Sequence, residues 1–155
     1  MIKKVFILAN KKITGIEKEK ERIENLFKRC GKDVQNSPED VDLVVTMGGD
    51  GTFLKGVHLV KGSKTLLYGI KYGNVGFLAN SVNNIESKLK RVMEGDYKVQ
   101  KRMLLDVVVR QGSKTLRDMC LNEAVVFRKG IRIIDISITG RQEIIFKRLR
   151  ADGVI

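Results

Sequence analysis

Over the first hundred residues the apolar positions follow two alternating patterns. Lys4–Ala9, Leu43–Thr46 and Thr65–Ile70 are short, β-branched or apolar runs of the kind that fill strands buried on both faces. Between them, Ile16, Ile23, Leu26, Phe27 and Cys30 share one stripe of a helix over 16–30, closed by Gly31. Phe53, Leu54, Val57 and His58 recur at helical spacing from Thr52 to about Val60, and Lys61-Gly62-Ser63 breaks that helix. Ile85, Leu89, Val92 and Met93 define a further helix, stopped by Gly95. Asn36–Asp40 is a loop carrying the sole proline. Residues 71–80 hold two glycines and large apolar residues without a period, which predicts a loop at the carboxyl end of a strand. Open α/β sheets bind their ligands at such ends. Strands alternating with helices predict a parallel sheet covered on both sides.

Beyond about Tyr97 the period falls to two. Met103, Leu105, Val107 and Val109 mark one strand, and Gln111-Gly112-Ser113-Lys114 reads as a hairpin turn. Further strands are predicted over Leu121–Phe127, over Ile134–Thr139 and around Glu143–Lys147, the last entered through Gly140-Arg141. The fold class is α/β: a doubly wound parallel-sheet domain over 1–97, then the first strands of an antiparallel all-β domain over 98–155. Val154-Ile155 reads as the opening of another strand. Four strands make a thin sandwich with apolar faces wet, so the second domain is expected to be completed by more chain or by another subunit.

Charge narrows the class of ligand. Thirty basic against 18 acidic residues leave a formal net charge of +12, which attracts polyanions. The basic residues are dispersed, and the 6% of aromatics do not interleave with arginine as a base-stacking surface requires. Charge alone therefore supports a phosphorylated small molecule about as well as a nucleic acid; no nucleic-acid partner is assigned. No apolar run is long enough for a membrane span, and Met1-Ile2-Lys3-Lys4 does not open a signal peptide, so a cytoplasmic protein without a membrane partner is expected. Cys30 and Cys120, with one histidine, supply too few ligands for a zinc site and are expected to be free thiols. No metal ligands are assigned.

The candidate chemistry lies in Leu43–Leu54. Gly48, Gly49 and Gly51 strip the turn of every Cβ except that of Asp50, so backbone N–H groups can approach a ligand closely. Thr52 stands where a helix should begin, and its positive dipole end completes an anion cradle. A carboxylate inside such a cradle either holds a metal ion or takes a proton from an attacking hydroxyl. The plain alternative is a tight strand-to-helix turn with Asp50 as a cap, but that needs one glycine at positive φ rather than three around an acid.

Gly48-Gly49-Asp50-Gly51-Thr52 resembles the glycine-aspartate signature shared by NAD kinases, diacylglycerol-type lipid kinases and, more loosely, phosphofructokinases. Four further segments resemble NAD kinases in particular: Gly76-Phe77-Leu78, Arg102-Met103-Leu104, Leu121-Asn122-Glu123 and Arg150-Ala151-Asp152-Gly153. They fall in the family's order and cover almost the whole chain. The family continues into a Thr-Pro-Thr-Gly-Ser-Thr-Ala-Tyr segment and several more strands that are absent here.

The resemblance implies phosphorylation of the adenosine-ribose 2′-hydroxyl of NAD to give NADP, with ATP or polyphosphate as donor and Mg²⁺ or another divalent cation as cofactor. Asp50 is then the general base. Gly48, Gly49, Gly51 and Thr52 line the triphosphate. Asp50, Gly51, Phe77, Asn122, Glu123, Arg132, Arg150 and Asp152 contact NAD. Adjacent strand residues face opposite ways, so Asn122 and Glu123 can share a ligand only from a strand end or bulge; a solvated strand end is the plain reading. Phe77 reads equally as core, Arg132 as a solvated cation, His58 as a packed or half-exposed residue and Lys18–Arg22 as a solvated helix face. A homo-oligomer, dimer or tetramer, is also implied. The alternatives are a lipid kinase, or a non-catalytic nucleotide- or polyanion-binding fragment. NAD binding and turnover are expected to need sequence beyond Ile155.

Overall fold

The computed structural model describes residues 2–72, 78–141 and 143–155. The chain divides into two compact units, Met1–Arg102 and Met103–Ile155.

The first unit runs β1 (Lys4–Ala9), α1 (Ile16–Arg29), β2 (Asp33–Gln35), β3 (Leu43–Gly48), α2 (Asp50–Val60), β4 (Leu66–Lys71), β5 (Asn80–Ser81) and α3 (Ile85–Glu94). Its strands form one parallel sheet of order β2-β1-β3-β4-β5. From β1 the chain goes outward to β2, then returns to the other side for β3, β4 and β5. The winding therefore reverses between β1 and β3, and in open α/β sheets the crevice at such a reversal binds ligands.

All six residues of β3 are buried, because helices cover both faces. On one face Val5, Ile7, Leu43, Val45, Met47 and Ile70 pack with Ile23, Leu26 and Phe27 of α1 and with Ile85, Leu89, Val92 and Met93 of α3. On the other face α2 lies so close that a Cβ on Gly56 would sit 2.5 Å from Thr46 Cγ2 and 2.8 Å from Leu67 Cδ1. The predicted parallel sheet, covered on both sides, is what forms.

Several boundaries differ from expectation. Strand β2 was not predicted: three residues with one apolar side chain show no period, and parallel pairing to Lys4, Val5 and Phe6 is what holds them extended. Cys30 is exposed and leaves the helical stripe, because α1 ends at Arg29 and Gly31 turns the chain at φ +69°. Helix α2 begins at Asp50, two residues before Thr52, with Gly49 as its N-cap.

The second unit holds β6 (Leu105–Gln111), β7 (Lys114–Cys120), β8 (Val126–Phe127), β9 (Ile134–Thr139), β10 (Ile144–Ala151) and β11 (Gly153–Val154). They pair antiparallel as β6–β7, β8–β11 and β9–β10. The hairpin turn is Gly112-Ser113, with Gly112 at φ +55°. Its partner strand is Lys114–Cys120 rather than Leu121–Phe127, of which only Val126 and Phe127 are strand. Arg117 and Asp118 disguise β7, whereas a two-residue turn forces pairing to resume at once. Strand β10 extends past Lys147 to Ala151. Ile134, Ile136 and Ile138 are half-buried while Asp135, Ser137 and Thr139 are exposed, as the alternation predicts.

The described buried hydrophobic residues all belong to the first unit. In the second, Phe127 is 75% exposed and Ile131 95%, and Leu116, Ile144 and Phe146 also face outward.

Candidate functional site

Strand β3 passes straight into α2 through Gly49 at φ −89°, ψ −171°, and none of Gly48, Gly49 and Gly51 adopts a left-handed φ. Space, rather than backbone conformation, explains Gly48. A Cβ on Gly48 would overlap Thr52 Oγ1 and lie 2.8 Å from Thr52 Cβ and 3.2 Å from Asn10 Cβ. At Gly51, by contrast, a Cβ would meet nothing within 4 Å. The turn is thus packed shut behind Gly48 and open in front of Gly51. The Gly51 N–H, in the first helical turn, has no acceptor within the helix, and the α2 dipole adds positive potential at the same point.

Asp50 is the first residue of α2, one past the N-cap Gly49. Its half-buried carboxylate accepts the Leu78 N–H on Oδ1 at 3.1 Å. Just before that loop, the Tyr72 N–H donates to the Gly48 carbonyl at 3.0 Å. The chain leaving β4 is therefore moored to the glycine turn both at Tyr72 and at Leu78. Gly76 and Phe77 lie outside the described residues. Thr52 is buried, and its N–H donates to the Gly49 carbonyl at 2.9 Å.

Sequence reasoning missed Asn10. It follows β1, and its N–H donates to the Met47 carbonyl at 2.9 Å, which places it beside Gly48 where the winding reverses. Its position after an apolar strand was the available signal.

The second unit carries the remaining candidates. Asn122 and Glu123 are exposed and lie between β7 and β8, past the end of a strand, so the alternation that would split them does not apply. Arg132 is exposed in the bend before β9. Arg150, on β10, places Nε 3.5 Å from Asp135 Oδ1. Asp135 also accepts two hydrogen bonds from Arg148 at 3.1 Å, which hold its carboxyl below the usual range. Asp152 stands at the bend from β10 to β11. Arg128 grips it twice: Nε pairs with Oδ1 at 2.5 Å, and the Arg128 N–H donates to the Asp152 carbonyl at 2.8 Å. Nothing in the sequence pattern singles out Arg128. A Cβ on Gly153 would overlap the Val126 carbonyl oxygen, so the Asp-Gly segment fits against β8 only as glycine.

A cavity of about 450 Å³ opens at the opposite, amino ends of the strands, lined in part by Asp40, Asp42, Ser63, Lys64 and Thr65. Its polar groups serve one another. Asp42 accepts the Lys3 and Lys4 N–H groups, Thr65 Oγ1 donates to the Val41 carbonyl, and Lys4 pairs with Asp40.

The sequence profile of the ATP-NAD kinase N-terminal domain matches residues 1–97. The chain belongs to the NAD kinase family. An NAD kinase of Syntrophobacter fumaroxidans is 37% identical over 123 residues, covering 76% of this chain and 42% of the relative. One from Methanothermobacter thermautotrophicus is 36% identical over 131 residues, covering 83% and 44%. This NAD kinase family chain therefore spans less than half the length of these two relatives. Among solved structures, an NAD kinase from Archaeoglobus fulgidus in complex with ATP matches at TM-score 0.72 and 29% identity, over 97% of this chain and 58% of that one. Yeast NADH kinase complexed with NADH matches at TM-score 0.85 over 98% of this chain and 56% of that one; at 17% identity it is a likeness of fold. Both agree with the α/β architecture described above.

Proposed function

We propose that the protein phosphorylates the 2′-hydroxyl of the adenosine ribose of NAD, giving NADP. The observation that carries this reading is the Asp50 carboxylate at the head of α2, held on Oδ1 by the Leu78 N–H beside a turn left open at Gly51. Family membership supplies the reaction class. In the transfer the ribose oxygen bonds to the terminal phosphorus, the bridging oxygen–phosphorus bond breaks, and the hydroxyl proton passes to Asp50. A positioned base typically contributes about 10²–10⁴ in rate. Positioning and charge stabilisation supply the rest.

Gly48, Gly49, Gly51 and Thr52 form the triphosphate side. The likeness to an NAD kinase solved with ATP supports ATP as donor, with polyphosphate as the other candidate. Among the described residues no three His, Cys, Asp or Glu side chains gather around a metal position. Mg²⁺ is bound at such sites by a carboxylate together with substrate phosphate oxygens and water, and Asp50 is the carboxylate in this turn. The ion would offset phosphate charge. Phe77, Asn122, Glu123, Arg132, Arg150 and Asp152, together with Asp50 and Gly51, are the proposed dinucleotide contacts. The exposed apolar residues of β7, β8 and β10 favour a homo-oligomer, and the free thiols Cys30 and Cys120 fit a reducing cytoplasm.

The test is product analysis on the full-length protein, with Mg·ATP or polyphosphate as donor and NAD or diacylglycerol as acceptor. NADP formation is expected. Phosphorylated lipid with no NADP would assign the chain to a lipid kinase, and nucleotide binding without transfer from either donor would make it a binding module.

A further inference from the structure

We propose that Asn10 is a direct ligand of the triphosphate, donating through its carboxamide from the β1 side of the cradle. This rests on the reading of the glycine turn as a phosphate site, and adds to it a side chain from the neighbouring strand.

Three observations converge. The first is place: Asn10 extends the β1–β3 ladder by one residue, through its N–H to the Met47 carbonyl, and so stands beside Gly48 at the winding reversal. The second is face. Val5 and Ile7 enter the core shared with α1 and α3, so strand alternation puts Phe6, Leu8 and Asn10 on the face that carries α2. The volume that a Gly48 side chain would occupy is bounded by Thr52 and by Asn10 Cβ. Asn10 therefore flanks the same bare stretch of backbone as the head of α2.

The third is hydrogen bonding. Asn10 Oδ1 accepts the Lys12 N–H at 3.2 Å, which uses the acceptor end of the amide. The Nδ2 group carries two donors and has no partner among the described residues, although Asn10 is half-buried. A turn that needed only an acceptor would be served equally by aspartate. A phosphate oxygen needs the donors, and at this position aspartate would oppose it with a second negative charge beside Asp50.

The choice between Asn and Asp is thus the test. Mg·ATP and inorganic tripolyphosphate are titrated calorimetrically onto the 155-residue chain and onto Asn10→Asp and Asn10→Ala, with thermal midpoints measured alongside. Asn10→Asp is expected to keep the wild-type midpoint, because the turn acceptor survives, yet to weaken both ligands more than Asn10→Ala does. The alanine loss should be about 10-fold, the scale of a hydrogen bond to a charged group. If Asn10→Asp unfolds, Asn10→Ser retains a turn acceptor without the carboxamide and takes its place, with the same loss expected. Wild-type affinity in the aspartate or serine variant, with wild type binding normally, would overturn the role of Asn10 and leave the cradle standing. A wild-type chain that binds neither ligand would overturn both.

Discussion

The Leu78 backbone N–H donates to Asp50 Oδ1 at 3.1 Å, joining the loop beyond β4 to the first residue of α2. That carboxylate stands at the first helical position, one past the N-cap Gly49, and one of its oxygens accepts a main-chain donor at the carboxyl end of the sheet. The glycines around it divide into a packed one and an open one, and their substitutions separate fold from ligand binding.

Gly48→Ala should damage the fold itself. The added methyl overlaps Thr52 Oγ1, and Thr52 is buried, so neither side chain can withdraw freely. A loss of about 1–3 kcal/mol is expected in denaturant unfolding, the usual range for overpacking. Gly51→Ala meets open space at an ordinary φ, in a helix, and should leave stability unchanged or raise it by up to about 1 kcal/mol. Its effect should instead be several-fold weaker Mg·ATP binding, read by calorimetry.

Arg128→Gln should act on the dinucleotide side alone. The backbone pairing of β8 with β11 survives, but Asp152 loses its cation. Because the Asp152 side chain is 76% exposed, the pair is worth less than about 1 kcal/mol, so the KM for NAD should rise about two- to five-fold. The KM for ATP should not move. Equal changes in both would contradict the separation of roles.

Asp42 should make stability pH-dependent in the acid range. Its carboxylate accepts the Lys4 and Lys3 N–H groups at the amino end of β1, and these hold its carboxyl below the model-compound value of 3.8. A folded-state value lower than the unfolded one stabilises the protein above the unfolded value, and that stabilisation drains away as pH falls through the folded one. Asp42→Asn should therefore lower the unfolding free energy near pH 7, by about 1 kcal/mol for a solvent-accessible charged acceptor. Thermal midpoints of the two proteins should converge as pH falls below the unfolded value and on through the lower folded one. A constant difference across the acid range would rule the mechanism out.

Most of the first unit was legible because its physics is local. Unbroken apolar runs marked β1, β3 and β4, and three helical stripes and their glycine stops marked α1, α2 and α3. What escaped was set by partners distant in sequence: β2 exists through pairing to Lys4, Val5 and Phe6, and β7 through the hairpin register with β6. At the site, Gly48, Gly49, Asp50, Gly51 and Thr52 announced themselves by composition. The close packing that excludes a side chain at Gly48 did not, because it is set by Thr52 and Asn10 in the folded chain. Asn10 offered only its place after an apolar strand and Arg128 no signal at all, because each gains meaning from a neighbour brought up by the fold, Gly48 for one and Asp152 for the other.

The decisive measurement is phosphorus NMR of the NAD product formed with Mg·ATP by the full-length protein, wild type and Asp50→Asn, after matching their ATP affinities and thermal midpoints. Wild type is expected to yield the adenosine 2′-phosphate resonance, and Asp50→Asn to fold and bind ATP while forming it at least about 10²-fold more slowly. Formation of the 2′-phosphate by Asp50→Asn at the wild-type rate would contradict the assignment of this carboxylate as the proton acceptor.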